Sequence, residues 1–248
     1  MARTAVVSGG GTGIGYAVAE RFAKDGDRVV VTGRREAVLR EAAERIGERA
    51  SYFVADLAEP DGARRVADHL AERFGGVDIV AACAGGMTPG PDTELGLDGL
   101  EAVSWTWAAN LRANVMTAVH LVEATKPHLN DGGRILLCSS IAALRGSGNG
   151  SYGASKAALH PYAIDLSAEL GHRGVTANVI APGYTADTEF FGGRMTAERH
   201  QRLIGQTHNK RAGNPADIAE LAHWLAAPGA GNVTAQVIQS NGGALPGR

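Results

Sequence analysis

The chain has 248 residues, and its 24 basic and 26 acidic side chains leave a net charge of -2. No block of one sign stands out and no apolar run approaches the roughly 20 residues that cross a bilayer, which argues against nucleic acid and membranes as partners. The eight histidines include no pair at metal-ligand spacing with a carboxylate, so we expect no metal site.

The first predicted unit is a strand, a glycine-rich turn and a helix. Residues 4–8 form an apolar, β-branched run, residues 9–15 form the turn, and residues 16–24 carry apolar side chains at helical spacing. Glycines let backbone N–H groups approach a pyrophosphate, whose charge a helix N-terminus favours. The unit therefore predicts the first half of a dinucleotide-binding βαβ fold. Because the strand begins so early, we expect no signal peptide and a soluble, cytoplasmic protein.

The second predicted strand, residues 28–32, is followed by Gly33, Arg34 and Arg35 and then by a charged helix. At this strand end a carboxylate would bind the adenosine ribose of NAD, whereas an arginine accommodates the 2′-phosphate of NADP. The two arginines therefore favour NADP(H), with NAD(H) as the other possible cofactor. The alternative is that they are solvated charges near a helix start.

The remaining segments continue the alternation of strands and helices. We predict strands at 51–54, 79–83, 134–138, 175–180 and 234–239, and helices at 36–46, 60–74, 100–126, 151–170 and 215–225. Strands that are apolar on both faces are typical of a parallel sheet covered by helices on both sides. Since there is no internal repeat or linker, we expect one α/β domain over residues 1–248 with a seven-stranded sheet.

One helix carries a pair of residues that suggests proton transfer. Ser151 is the predicted N-cap, and Tyr152 and Lys156 lie four residues apart, so their side chains share a face. A phenol with a pKa of about 10 shuttles protons at neutral pH only if a nearby positive charge favours its anion, and Lys156 can supply that charge. Tyr152 is thus a candidate general acid/base for a carbonyl or an alcohol. The alternative is an ordinary helix with a surface lysine and a half-buried tyrosine.

Four markers in this order resemble the short-chain dehydrogenase/reductase family over about residues 3–243. They are the loop Ser8-Gly9-x-x-x-Gly13-Ile14-Gly15, Asn114 ahead of Pro127, Ser139-Ser140 followed by Tyr152-x-x-x-Lys156, and Pro182-Gly183. The resemblance implies a doubly wound Rossmann-type fold and reversible hydride transfer between a nicotinamide cofactor and a ketone or aldehyde. One departure is Ala82-Cys83-Ala84-Gly85, where the family has Asn-Asn-Ala-Gly.

The catalytic roles follow from the resemblance. It implies that Tyr152 is the general acid/base and that Lys156 holds the nicotinamide ribose and lowers the pKa of Tyr152. It also implies that Ser140 hydrogen-bonds the substrate oxygen and that Asn114 anchors a water in a proton relay. Ser139 is the alternative to Ser140 if the loop to Tyr152 is one residue short, and strand register favours Ser140. Similarly, Asn110 is the alternative to Asn114, and the count to Pro127 favours Asn114.

The resemblance also implies a set of cofactor-binding residues. They are Ser8, Gly9, Gly11, Thr12, Gly13, Ile14, Gly15, Arg34, Arg35, Asp56, Leu57, Ala84, Gly85, Tyr152, Lys156, Pro182, Gly183, Thr185 and Thr188. Among them Asp56 would accept from the adenine amino group, Gly85 would leave space for the adenosine ribose, and the backbone after Pro182 would meet the carboxamide. Thr185 and Thr188 compete for the threonine contact that follows Pro-Gly. Since Thr12 stands where NADP-preferring relatives often carry a basic residue, the NADP(H) prediction depends on Arg34, with Arg35 in support.

In this family the segment 184–212 varies with the substrate. Here it contains Phe190, Phe191, Met195 and Leu203, and within residues 190–211 five basic residues face one acid, Glu198. This predicts a partly apolar lid with a positive rim for an acidic or thioester-carried substrate, and the alternative is a solvated helix. Of the two basic sites typical of reductases acting on acyl-carrier-protein substrates, Arg173 matches one and Asp131 replaces the other. The sequence thus matches one of the two sites expected of a ketoacyl or polyketide-type ketoreductase, and this function stays possible.

Two further features concern assembly and the thiols. The Tyr152 helix is small or apolar almost all round, and the family usually covers it with the same helix of another subunit, which implies a homodimer or homotetramer. Cys83 and Cys138 lie near the ends of neighbouring predicted strands, and we interpret them as buried thiols rather than a redox pair. Two other functions stay open: an NAD-dependent alcohol dehydrogenase, and a nucleotide-sensing regulator that keeps the fold but has lost the chemistry.

Overall fold

A computed structural model describes residues 2–193 and 195–247. Its strands form one parallel sheet in the order β3-β2-β1-β4-β5-β6-β7, which confirms the predicted seven-stranded α/β fold. The strands are β1 Thr4–Ser8, β2 Arg28–Gly33, β3 Ala50–Val54, β4 Val77–Ala82, β5 Leu129–Cys138, β6 Thr176–Pro182 and β7 Val237–Ser240. The chain reverses its direction of travel across the sheet between β1 and β4, and open sheets of this kind bind ligands at such a switch point.

Helices cover both faces of the sheet. They are α1 Gly13–Lys24, α2 Glu36–Ile46, α3 Pro60–Phe74, α4 Gly99–Leu111, α5 Thr117–Thr125, α6 Ala142–Arg145, α7 Gly150–Ala157, α8 Leu159–Leu170, α9 Ala197–Gly205 and α10 Pro215–Ala226. Helices α3, α5 and α8 pack on one face, and α1, α2 and α10 pack on the other. Within the described ranges, no helix combines the length and the apolar character that a membrane span needs.

The alternation of side chains along β2 divides the core between these two layers. Val30 belongs to the cluster under α3, α5 and α8, whereas Val29 and Val31 belong to the cluster under α1 and α10. Successive residues of a strand point to opposite faces, so a run of valines fills both cores at once. All three side chains are at most 1% exposed.

Two predicted helices are interrupted in the structure. The helix expected at 100–126 contains a π turn, Arg112–Met116, between α4 and α5. The helix expected at 151–170 is divided at Ala158, because Pro161 lacks an N–H group and its ring clashes with the carbonyl four residues earlier. The N-cap prediction of Ser151 was wrong: Asn149 caps α7, and its side chain accepts from the backbone N–H of Tyr152 at 3.0 Å. Asn149 therefore fixes the start of the helix that carries Tyr152.

Candidate active site

The carboxyl ends of the central strands open into one large cavity of about 820 Å³. The glycine turn, the ends of β2 to β6 and the start of the segment 184–212 line it. Every predicted site residue lines this cavity except Ser8 and Asn114, which are both fully buried behind its wall. The structure thus brings the sequence-predicted residues together at the switch point of the sheet.

The glycine turn between β1 and α1 needs its glycines for two reasons. Gly9 and Gly13 have φ values of +64° and +54°, which side chains rarely tolerate. A Cβ atom on Gly15 would overlap the carbonyl oxygen of Gly9. The N-cap Thr12 makes no side-chain hydrogen bond within α1, and the first turn of α1 has no acidic residue. The positive end of this helix is therefore available to an anion at the cavity.

Ser8 and Gly85 shape the cavity from behind. The Ser8 hydroxyl accepts the backbone N–H of Ala84 at 3.0 Å, which ties the end of β1 to the loop after β4. Gly85 has a φ of +141°, and a Cβ atom there would lie 2.5 Å from Oδ1 of Asn114 and 3.0 Å from Nζ of Lys156. The missing side chain at Gly85 is what leaves room for the buried Lys156.

Two buried asparagines, one helical turn apart, hold the loop after β4. Asn114 accepts from the N–H of Gly86 and donates to its carbonyl, both at 2.9 Å. Asn110 makes the same pair of bonds to Thr88, at 3.1 and 3.2 Å, and donates to the Ser151 hydroxyl. Asn114, in the π turn, is thus the asparagine beside Gly85 and Lys156, and Asn110 serves to anchor the loop and α7.

The two serines after β5 point in different directions. The Ser140 hydroxyl accepts the N–H of Ala142 at 3.1 Å and is close enough to Tyr152 to lower the pKa of its phenol by hydrogen bonding. The Ser139 hydroxyl donates to the carbonyl of Lys156 at 2.9 Å and contacts Nε2 of His160 at 2.8 Å on the other side of the strand. Both serines line the cavity, but successive side chains of an extended segment alternate, so the Ser140 hydroxyl faces Tyr152 while the Ser139 hydroxyl is engaged by Lys156 and His160.

Burial dominates the electrostatics of the Tyr152 site. It raises the pKa of Tyr152 to about 12, and the hydrogen bond from Ser140 acts in the opposite direction. Burial likewise lowers the pKa of Lys156, whose Nζ donates to the carbonyl of Cys138 at 2.8 Å. The groups of the protein itself thus raise the pKa of Tyr152, and its lowering by Lys156 together with the oxidised nicotinamide stays a prediction. These groups hold Tyr152 as a neutral phenol, the form that donates a proton.

The opposite end of the cavity holds the predicted adenosine contacts. Asp56 is half-buried, and its Oδ1 accepts the N–H of Ala58 at 3.0 Å. The carbonyl of the buried Leu57 is 3.0 Å from Nδ1 of His120. Arg34 is exposed at the rim, and Arg35 forms an ion pair with Glu189 at 2.8 Å. Two cationic side chains thus stand beside the end of β2.

Of the two threonines after Pro182-Gly183, Thr188 is the one that reaches the glycine turn. A Cβ atom on Gly13 would lie 3.5 Å from the Thr188 methyl group. Thr185 is buried, and its hydroxyl donates to the carbonyl of Gly183 at 3.3 Å. Both line the cavity, but only Thr188 bridges it towards α1.

The comparisons with known proteins agree with this geometry. A family model described as enoyl-(acyl carrier protein) reductase matches residues 9–244. The 2,3-dihydroxy-2,3-dihydro-p-cumate dehydrogenase of Pseudomonas putida is 32% identical over 97% of this chain and 93% of that protein. A crystal structure of a short-chain dehydrogenase/reductase (glucose/ribitol dehydrogenase) from Brucella melitensis has a TM-score of 0.90 and 31% identity, covering 99% of this chain and 97% of that one. The chain belongs to the short-chain dehydrogenase/reductase family.

Family membership establishes the coarse chemistry. This short-chain dehydrogenase/reductase is an NAD(P)-dependent oxidoreductase that acts on CH–OH and C=O groups of small molecules. A blue fluorescent protein from a metagenomic library, solved in complex with NADPH, is similar to it with a TM-score of 0.86 and 31% identity over 98% of both chains.

The segment 184–212 of this short-chain dehydrogenase/reductase places an aromatic cluster over Tyr152. The Phe190 ring lies 5.4 Å from the Tyr152 ring and 4.9 Å from Phe191. Tyr184 packs edge-on against Phe191, and its hydroxyl is 2.6 Å from Nδ1 of His200 in α9. Phe190 therefore forms an apolar wall of the cavity beside the Tyr152 ring.

The basic residues predicted as a rim have separate surroundings. Arg194 lies outside the described residues. Arg211 forms an ion pair with Asp217 at 2.6 Å, Lys210 donates to the carbonyl of Gly205 at 2.9 Å, and Arg199 stacks over the Phe191 ring. Arg211 and Lys210 are therefore engaged in local contacts and do not line the cavity, and Arg199 packs on the aromatic cluster.

Sequence reasoning missed Glu189. Its carboxylate pairs with Arg35 and accepts from the Thr12 hydroxyl at 3.4 Å, so it spans the cavity between β2, α1 and the segment 184–212. Glu189 lies one position before the basic segment 190–211 that the sequence singled out. In the sequence, Glu189 is visible only as an acid next to the predicted aromatic lid. Its partner Arg35 is 154 residues away, so no local pattern predicts the ion pair.

Proposed function

We propose that this short-chain dehydrogenase/reductase uses NADP(H) to interconvert a ketone or aldehyde and the corresponding alcohol, with Tyr152 as general acid/base. The observation that carries the proposal is the convergence of Ser140 with the buried Tyr152 and Lys156 at one wall of the cavity. When bound, the nicotinamide supplies or accepts the hydride. The protein binds, orients and transfers the proton.

The glycine turn fits the pyrophosphate of a dinucleotide. A side chain on Gly15 would fill the turn, and the uncapped N-terminus of α1 provides backbone N–H groups and a positive dipole. The residues that we propose for the rest of the dinucleotide are Ser8, Gly9, Gly11, Gly13 and Ile14 near the pyrophosphate, Asp56, Leu57, Ala84 and Gly85 at the adenosine, Lys156 at the nicotinamide ribose, and Pro182, Gly183, Thr185 and Thr188 at the carboxamide.

The proton chemistry rests on the neutral state of Tyr152. In reduction its phenol donates a proton to the carbonyl oxygen, and Ser140 hydrogen-bonds the same oxygen and orients it. In oxidation the phenol must first lose its proton, which the raised pKa opposes. We therefore propose that near neutral pH Tyr152 enters the catalytic cycle protonated, in the form that donates to a carbonyl. Asn114, which fixes the loop beside Lys156, is proposed to anchor a water that returns protons from solvent.

The preference for NADP(H) is supported by Arg34 and Arg35 at the end of β2, where an NAD enzyme carries an acid. The NADPH complex of a similar structure is consistent with it. Binding constants for NADPH and NADH, measured by fluorescence titration, test the preference. Tighter binding of NADH would instead support the alternative, an NAD-dependent alcohol dehydrogenase.

For the substrate, the cavity favours a carbonyl compound with an apolar or aromatic group. Phe190 packs against Tyr152, and Trp105 and Met87 also line the cavity. The basic site expected for an acyl carrier protein is neutralised, because Arg173 forms an ion pair with Asp131 at 2.8 Å. We therefore rank aromatic and polyketide-like ketones ahead of ketoacyl thioesters. A panel of both classes, followed by NADPH oxidation, separates them.

The decisive variant is Tyr152→Phe, which removes one hydroxyl and leaves the aromatic packing in place. We expect turnover to fall by about 10²- to 10⁴-fold, the usual contribution of a general acid. NADPH binding should change little, since the ring still packs on Phe190. Retained turnover would contradict the assignment of the proton donor. Wild-type protein that binds NADPH but reduces no carbonyl in the panel would support a nucleotide-sensing regulator.

We further propose that residues 1–248 form one domain that assembles as a homodimer or homotetramer. Exposed apolar side chains support this assembly: Leu100, Val103 and Trp107 on α4 are 78%, 52% and 43% exposed, and Ile164 on α8 is 54% exposed. Analytical ultracentrifugation measures the state directly, and a monomer at micromolar concentration would contradict it.

A further inference from the structure

The two cysteines of the chain lie side by side on the floor of the cavity. Strands β4 and β5 are paired in parallel with Ala82 opposite Leu137, so Cys83 and Cys138 follow the last paired residues. Both are free thiols that are partly accessible and line the cavity. The two thiols are neighbours across these strands, and each alters the pKa of the other. The residues that end two adjacent strands thus form a dithiol at the site.

The surroundings make the two thiols chemically different. The neighbouring Cys83 thiol and the charge of Lys156 lower the pKa of Cys138 to about 7, although burial opposes them. The proximity of Cys138, together with burial, raises the pKa of Cys83. Since the thiolate is the nucleophile, Cys138 is the attacking sulfur and Cys83 stays protonated beside it.

The contact with Lys156 links this dithiol to the rest of the site. The Lys156 Nζ donates to the backbone carbonyl of Cys138 at 2.8 Å, and Ser140 follows two residues later. Any covalent change at Cys138 therefore acts on the residues beside Tyr152. Neither sulfur has a role in the proposed proton transfer, so the pair is free for another chemistry.

We propose that Cys83 and Cys138 form a modification site for low-molecular-weight disulfides, in which Cys138 attacks and Cys83 resolves. This reverses our interpretation of the two residues as inert buried thiols. The end product is a Cys83–Cys138 disulfide on the cavity floor, and reduction by an external thiol restores the dithiol.

The reaction balances in two exchanges. The Cys138 thiolate attacks one sulfur of the reagent, whose S–S bond breaks, and the leaving thiolate takes up a proton. The Cys83 sulfur then attacks the Cys138 sulfur of the mixed disulfide, and its proton goes to the second leaving thiolate. Cys138 gives its proton to solvent when it ionises, and the first leaving thiolate takes one up from solvent, so the protein dithiol loses two electrons and two protons and the reagent disulfide is reduced to two thiols.

Oxidation should also close the site to a dinucleotide. A bond between the two sulfurs draws the ends of β4 and β5 together and displaces the Cys138 carbonyl that holds Lys156. We expect NADPH to bind at least about tenfold more weakly to the oxidised protein, a loss of about 1.4 kcal/mol. This consequence rests on the proposed function, but the disulfide itself does not.

The test uses the full chain and the disulfide of β-mercaptoethanol as the probe. Because the chain has only two cysteines, thiol titration and intact mass are unambiguous. Wild-type protein should lose both thiols and two hydrogen atoms without becoming a covalent dimer, and dithiothreitol should reverse the change. Cys83→Ser should accumulate one mercaptoethanol adduct on Cys138, whereas Cys138→Ser should react at least about tenfold more slowly.

Other outcomes overturn the proposal. A wild-type protein that keeps both thiols, or carries two adducts without an internal bond, excludes the paired site, and this measurement needs no variant. Adduct formation that is equally fast in Cys83→Ser and Cys138→Ser excludes the assigned roles. If the disulfide forms but NADPH binds equally well, only the coupling to the cofactor site fails. If NADPH binds to neither form while the disulfide forms, the proposed function fails and the dithiol stands.

Discussion

At Tyr152, burial and hydrogen bonding pull the pKa in opposite directions. Only 6% of the residue is exposed, so its anion would lose most of its hydration, and the single bond from Ser140 does not compensate. The phenol is therefore neutral over the whole physiological range. Reduction of a carbonyl benefits from this state, because the proton donor needs no prior protonation.

This pKa predicts a dependence of stability on pH. The folded pKa of about 12 lies above the reference value of 10.0, so the stabilisation is complete below pH 10 and is lost as the pH rises towards 12. Over this interval, wild-type protein should lose up to about 2–3 kcal/mol more unfolding free energy than Tyr152→Phe. Urea titrations of both proteins at several pH values measure the difference. Parallel curves would show that the hydroxyl is solvated.

Gly85 and Gly86 form a matched pair for testing the space around Lys156. An alanine at Gly85 would have a φ of +141° and would collide with Asn114, so we expect Gly85→Ala to lose about 1–3 kcal/mol of unfolding free energy. A Cβ atom on Gly86 meets no atom within 4 Å, so Gly86→Ala should stay within about 0.5 kcal/mol of wild type. Denaturant titration distinguishes them, and equal losses would contradict the steric explanation.

At the scale of elements, the segment after β6 spans the cavity. Its short helical turn, Glu189–Phe191, contacts Arg35 through Glu189 and Tyr152 through Phe190. The two ends of the site are thus connected by neighbouring residues. A 2′-phosphate that bound Arg35 would compete with the Glu189 carboxylate, and the segment would then be released from β2.

This competition predicts the effect of Glu189→Gln. The ion pair is exposed on both sides, so it contributes at most about 1 kcal/mol, and its loss should tighten NADPH binding by up to about fivefold. NADH, which has no 2′-phosphate, should bind unchanged. Glu198→Gln in α9 is the control, because it removes an acid from the same segment without touching Arg35. Equal gains for both cofactors would mean that Glu189 limits access and does not compete for charge.

At the scale of the whole molecule, the cavity joins β1 to β6 and the helices on both faces, so a bound dinucleotide should stabilise the entire fold. At a concentration of 100 times Kd, NADPH should add about 2.7 kcal/mol of stability. For a chain of this size that corresponds to a rise in Tm of about 5–10 °C.

Two variants determine whether this stabilisation comes from the glycine turn. Tyr152→Phe should show the full rise in Tm, because the pyrophosphate contacts are intact. Gly15→Ala should lose it, since its Cβ atom would overlap the carbonyl of Gly9. Differential scanning fluorimetry with and without NADPH measures both. If Gly15→Ala showed the full rise in Tm with NADPH, most of the binding free energy would come from contacts outside the glycine turn.

The sequence by itself determined the order and type of the elements. Helices α2 and α3 begin and end where the periodicity predicted, and β1 matches exactly, because apolar spacing, capping and glycine or proline positions act within a few residues. Its motifs also determined the family and the candidate pair Tyr152 and Lys156. The breaks at the π turn and at Ala158 were missed, although Pro161 was a visible local signal for the second.

Only the tertiary structure decided between alternatives that depend on distant contacts. It separated Ser140 from Ser139 through the alternation of side chains after β5, and it created the burial that raises the pKa of Tyr152. It also brought Glu189 to Arg35 and Cys83 to Cys138. Each of these outcomes depends on which strands are neighbours and on how much solvent the packed helices exclude. Local sequence pattern determines neither quantity, because both arise from residues that are far apart along the chain.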